Sequence, residues 1–164
     1  MKTTILTFLI LISVINILHA QTSINAFVLN CNDGDTCKMK VNNQIIKIRL
    51  VGIDAPELKH GKKIAQPYAQ KSKDELNNLI KDKNVLVKLY KKDIYKRYLG
   101  EIFYKNINVN LKMLEIGAAE VYKGKNEKSI DLNTYIEKEN VAKQNHIGIW
   151  NNKNYESPFI FRKK

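Results

Sequence analysis

Acidic residues are scarce in this chain of 164 residues: 16 Asp and Glu stand against 28 Lys and Arg, a formal charge of +12. Such a field attracts and steers polyanions, so nucleic acid or an anionic surface is the natural partner. Cysteine is limited to Cys31 and Cys37, and the further ligands that a zinc site needs are missing from their neighbourhood. There is no internal repeat and no low-complexity linker, which leaves one domain around one core. A strongly amphipathic, aromatic-rich helix is also lacking, which argues against adhesion to membranes as the function.

What is present begins with a processing segment. Lys2 supplies a positive start, Ile5 to Leu18 is apolar, and Leu18-His19-Ala20 offers a small residue at a cut. The stretch is short for a span and no stop-transfer pattern follows, so residues 1–20 are expected to be a signal peptide and 21–164 the mature domain. The competing expectation is an uncleaved anchor; export to the periplasm or medium follows either way. No stable membrane insertion is expected after cleavage.

Strand-like residues run from Ile24 through Leu29 to the turn Asn32-Asp33-Gly34-Asp35, where glycine is free to take positive φ. Cys31 and Cys37 flank that turn. They are either bridged across the hairpin or two buried thiols, and geometry decides between these. Past a second turn at Asn42-Asn43, Ile46, Ile48 and Leu50 alternate with Lys47 and Arg49, placing Arg49 on the face away from the core. Pro56 ends that strand. Helical periodicity starts near Pro67 and runs through Ala69, Leu76, Leu79 and Ile80. Strands follow over 85–90 and 98–104. Asn108 is placed to cap a short helix closed by Gly117, and a last helix covers Leu132 to Gln144. This order suits a mainly β (α+β) protein, a five-stranded OB-fold barrel with three packed α-helices.

The chemistry concentrates between Asp33 and Glu57. Four carboxylates (Asp33, Asp35, Asp54, Glu57) and Arg49 sit there at turns and strand ends of a basic chain. Clustered acids repel anions but hold a hard cation that binds them, and oxygen ligands suit Ca²⁺ or Mg²⁺. Phosphodiester hydrolysis needs a cation on the phosphate, a positioned water and positive donors for the growing charge. Asp35, Asp54 and the carbonyl of Ala55 are candidates for the cation, and Glu57 for the water. Arg49 and Arg97 are candidates for the phosphate oxygens. Singly, each has a plainer account: a turn, a solvated loop acid, a surface charge. His60 is a rival base and sits in a lysine-rich loop without an evident partner.

In combination these residues resemble the staphylococcal nuclease (thermonuclease) family. The resemblance rests on Asp33-Gly34-Asp35-Thr36, Ile48-Arg49-Leu50-Val51-Gly52-Ile53-Asp54-Ala55-Pro56-Glu57 and Tyr95-Lys96-Arg97-Tyr98-Leu99-Gly100, and extends through Gln66-Pro67-Tyr68-Ala69 to Gly148-Ile149-Trp150. It implies an OB-fold nuclease dependent on Ca²⁺, acting on DNA and RNA as a monomer, with single strands preferred and 3′-phosphate products. By the family pattern Asp35, Asp54 and the Ala55 carbonyl hold Ca²⁺, Arg49 and Arg97 bind phosphate, and Glu57 serves the attacking water. Tyr95 and Tyr122 are the implied base-stacking residues. The chain departs from the pattern at Ala55, where Thr is frequent, and at Lys96, where Gly is common. The rival from another class is a non-catalytic OB-fold module that binds nucleic acid without cleaving it.

Overall fold

The computed structural model describes residues 22–58, 61 and 64–164; the expected signal peptide and His60 lie outside the described residues. Eight strands and four α-helices follow in order: β1 (Ser23–Cys31), β2 (Thr36–Val41), β3 (Gln44–Leu50), β4 (Ile53–Asp54), α1 (Ala69–Ile80), β5 (Asn84–Lys92), β6 (Tyr98–Tyr104), β7 (Ile107–Asn108), α2 (Val109–Glu115), β8 (Glu120–Val121), α3 (Leu132–Gln144) and α4 (Pro158–Phe161). The main sheet runs β3-β2-β1-β5-β6-β7, and a parallel pairing of β3 with β6 closes five of its strands into a barrel. Closure removes the sheet edges, and the register breaks after Val28 and Leu89 supply the bends that closing needs.

The alternating strands fill the barrel with Val28, Met39, Ile48, Leu50, Val87 and Ile102, all fully buried. Helix α1 turns Ala69, Ser72, Leu76 and Ile80 inward at helical spacing. It starts two residues later than Pro67 suggested, because Tyr68 takes a left-handed φ of 73° just before it. Asn108 caps α2 by accepting from the Leu111 N–H at 3.2 Å, and Gly117 beyond that helix has a φ of 60°. Buried Asn110 accepts from Ile102 N–H and donates to the Val51 carbonyl at 2.9 Å. That side chain ties α2 to the turn that leads into β4. Cys31 and Cys37 are Cα partners across the β1–β2 hairpin and form a disulfide.

Two expectations are corrected. A fourth helix, α4, joins the three expected; four residues are too few to show a period in the sequence. Gly34 does not take positive φ. Its lack of a side chain serves a close approach instead, since a Cβ there would collide with Ser72 Oγ and lie 2.7 Å from Ala55 Cβ. The Asp-Gly-Asp turn is therefore pressed against α1 and against the segment that carries Asp54.

Candidate active site

The register of β2 and β3 sets Thr36 opposite Arg49, and the close approach at Gly34 brings Asp35 beside Ala55. Asp35 is buried and uses both oxygens: Oδ1 accepts from Arg49 Nη1 at 2.5 Å and Thr36 Oγ1 at 2.9 Å, while Oδ2 accepts from the Ala55 N–H at 3.1 Å. Asp54, fully buried on β4, accepts from the other Arg49 nitrogen, Nη2, at 2.9 Å. One guanidinium thus spans two carboxylates that are 19 residues apart in sequence. Burial works against the Asp35 charge. The Arg49 guanidinium, the Ala55 amide and the Thr36 hydroxyl outweigh it and hold the carboxyl below the usual carboxylate range. Asp33 lies beside it with less compensation. Burial first, and the Asp35 charge second, push its carboxyl up to about 7.

Arg97 reaches the same place from the β5–β6 turn. Its Nη1 lies 3.4 Å from Thr36 Oγ1, whose hydroxyl donates to Asp35. Asp93 fixes its aim, accepting from Nε at 2.8 Å and pairing with Nη2 at 2.7 Å. Tyr95, 72% exposed at the tip of that turn, carries the Arg97 guanidinium 5.3 Å from its ring centroid. Tyr122, beyond β8, has the Arg49 guanidinium 5.8 Å from its ring. Both rings therefore flank the guanidinium groups.

Arg162, just past α4, joins the site although no motif in the sequence marks it. It donates from Nη1 to Asp54 Oδ1 at 3.0 Å and from Nη2 to Asp54 Oδ2 at 2.7 Å, and Nη1 also reaches Glu57 Oε1 at 2.7 Å. Gln66 supports the arrangement from the side, accepting from the Glu57 N–H at 2.9 Å and donating to the Glu156 carbonyl at 2.8 Å. One signal could have found Arg162: the chain holds 25 lysines but only three arginines, Arg49, Arg97 and Arg162. A protein that uses lysine for general charge keeps arginine where a planar, forked donor is required.

Among the described residues, no group of three acidic, His or Cys side chains is arranged to hold a metal ion. The donor set still fits a hard cation. Asp35 and Asp54 face each other across a single guanidinium, and two carboxylates with backbone, water and phosphate oxygens are a normal complement for such ions. The arrangement as a whole offers hard oxygen ligands, forked phosphate donors and an adjacent carboxylate, Glu57, held by Arg162.

A closed barrel carrying this acid–guanidinium cluster beside β3 belongs to the class of OB-fold nuclease domains. Residues 47–152 match the family of staphylococcal nuclease homologues. The chain is 36% identical to an uncharacterized endonuclease of Haemophilus influenzae over 139 residues, 84% of this chain and 72% of that protein. It is 34% identical to an uncharacterized endonuclease of Escherichia coli O157:H7 over 140 residues, 85% of each chain. A probable endonuclease LCL3 of Leptosphaeria maculans is 37% identical over 111 residues, 64% of this chain and 37% of the longer fungal protein. The chain belongs to the staphylococcal nuclease homologue family, and it is a hydrolytic nuclease.

Proposed function

We propose that the protein is an exported, Ca²⁺-assisted nuclease that cleaves DNA and RNA with little sequence preference and leaves 3′-phosphates. The observation that carries this reading is the convergence of Asp35, Asp54 and Glu57 on the guanidinium groups of Arg49 and Arg162, with Arg97 one hydroxyl away. Asp35 and Asp54 would hold the ion, with the Ala55 carbonyl as a further oxygen. When bound, the ion would neutralise phosphate charge and polarise phosphorus. Glu57 orients a water and takes its proton as the oxygen attacks phosphorus. Arg49 and Arg97 donate to the phosphoryl oxygens as charge builds there. The bond to the 5′ oxygen breaks, that oxygen takes a proton from solvent water and leaves as a hydroxyl, and the phosphate stays on the 3′ side.

A nucleic-acid substrate is supported by the outward face of β2 and β3. Lys38 pairs across the strands with Lys47, and Lys40 with Ile45, in line with Thr36 and Arg49. These lysines have no acidic partner among the described residues, so their charge is available to a phosphate backbone. Tyr95 and Tyr122 add stacking surfaces that tolerate any base. No helix among the described residues is long and apolar enough to cross a membrane. The test is digestion of single-stranded DNA and of RNA with Ca²⁺ or with a chelator, followed by end-group analysis. Chelator-sensitive cleavage to 3′-phosphate ends is expected. Salt-sensitive binding without cleavage would replace this reading with the non-catalytic module.

A further inference from the structure

Asp54 has about four lone-pair positions to offer, and three are taken. Arg49 Nη2 and Arg162 Nη1 share Oδ1 while Arg162 Nη2 holds Oδ2. Arg162 also claims Glu57, the carboxylate on which water activation depends in the reading above. This is more than a stray surface contact: Asp54 is fully buried, and its forked pairing holds the strongest geometry available to an arginine. The segment that delivers Arg162 is fastened down independently. Ser157 Oγ and Tyr155 OH both donate to buried Glu120, the Tyr155 bond at 3.1 Å, and Gln66 holds the Glu156 carbonyl.

A divalent ion and the Arg162 guanidinium are both cations drawn to one carboxylate, and at that range they repel each other. We propose that Arg162 is a positioning residue that occupies the Asp54 end of the cation site while no divalent ion is bound, keeping Asp54 and Glu57 aligned, and yields Asp54 when the ion arrives. The inference rests on the reading of Asp54 as a cation ligand. Without Arg162, a buried Asp54 beside Asp35 and Glu57 would have Arg49 as its only guanidinium partner, a costly arrangement in a poorly hydrated pocket. With Arg162, the carboxylates keep their geometry, and the ion must displace a tethered competitor to bind. The side chain is 25% exposed and leads from a short helix at the surface, so it has room to swing out without disturbing the barrel.

The experiment is a calorimetric titration of the mature protein with Ca²⁺ alone, alongside amide hydrogen exchange of residues 155–164 with and without the ion. In Arg162→Gln the Ca²⁺ dissociation constant is expected to fall about ten-fold, near the low end of the usual range for coupling between two interacting groups. Arg162→Lys, which restores a tethered charge without the fork, should lie between that variant and the wild type. Exchange in the 159–163 amides of the wild type should quicken on saturation with Ca²⁺. Equal affinities in the wild type and Arg162→Gln, or exchange that slows or stays constant, would overturn the proposal. Asp54→Asn separates this from failure of the underlying reading: Ca²⁺ binding that survives Asp54→Asn, or no binding in any variant, removes Asp54 as a ligand and the Arg162 inference with it.

Discussion

Two buried acids sit in one molecule under opposite regimes. Glu101, on β6, accepts from Tyr90 OH at 2.6 Å, Tyr135 OH at 3.0 Å and Asn108 Nδ2 at 3.1 Å, with Lys88 Nζ at 3.4 Å. These donors stand on β5, α3 and the cap of α2, and they cannot leave without taking the fold apart. Asp54 is equally enclosed but is held by guanidinium groups, one of them 108 residues away on a surface segment. The lesson is that burial alone does not mark a working carboxylate. Donors built into the strands and helices make an acid part of the scaffold; guanidinium groups on movable side chains leave it open to a ligand.

That contrast breaks most visibly in activity. Glu57→Gln and Arg97→Ala should leave circular dichroism and thermal unfolding close to wild type while lowering kcat by about 10²–10³, the usual cost of losing a group that acts on transition-state charge. Turnover near wild type in either variant would place the chemistry elsewhere. Glu101→Ala should do the reverse. It strands two phenols and an amide and unpairs Lys88, for a loss of about 3 kcal/mol in chemical denaturation with kcat per folded molecule unchanged.

The pH response of stability sharpens the same comparison. Burial alone would raise the Glu101 carboxyl, but Tyr90, Tyr135, Asn108 and Lys88 outweigh it and hold it below its ordinary 4.5. A depressed carboxyl stabilises the fold above its unfolded pKa and loses that contribution as pH falls through its folded value. The stability gap between wild type and Glu101→Ala should therefore be constant near neutrality and narrow below about pH 4.5. A gap that persists in acid would mean that packing, not charge, makes Glu101 matter. Smaller again is the Cys31–Cys37 bridge. It closes a short loop, so reduction or Cys31→Ser/Cys37→Ser should cost about 2 kcal/mol with activity retained.

How legible these features were in the sequence follows from their range. Strand alternation at Ile46, Ile48 and Leu50, the Asn108 cap, Gly117 and the bounds of α3 are local signals, and the structure repeats them. Asp35, Arg49, Asp54, Glu57 and Arg97 stood out as a set only through their joint spacing and the family resemblance that spacing carries, since each alone reads as a turn, loop or surface charge. The tertiary partners were not. Asp93 aiming Arg97, Gln66 clamping Glu57 and Arg162 crossing to Asp54 depend on close contacts that no local period encodes. Tyr122 gave no more signal than an ordinary core residue, and only the path beyond β8 brings its ring to Arg49. Gly34 was assigned a conformational role where the fold uses its missing side chain.

The smallest effect concerns Lys96, next to Arg97. Its φ is 61°, the left-handed region that costs a side-chain-bearing residue roughly 1 kcal/mol or more and glycine almost nothing. The turn keeps that conformation because Asp93 accepts from the Tyr95 and Arg97 N–H groups at 2.9 and 3.0 Å, while the Lys96 N–H donates to the Asp93 carbonyl at 3.0 Å. Those bonds stand apart from the Lys96 side chain. Lys96→Gly should therefore raise unfolding stability by about 1 kcal/mol and leave kcat/KM where it was, since Asp93 and not residue 96 aims the guanidinium. Asp93→Ala should free Arg97 and lower kcat/KM, at a stability cost of about 1 kcal/mol for the turn bonds it removes. If Lys96→Gly instead alters kcat/KM as strongly as Asp93→Ala does, the strained backbone itself directs Arg97, and this turn works by conformation as well as by charge.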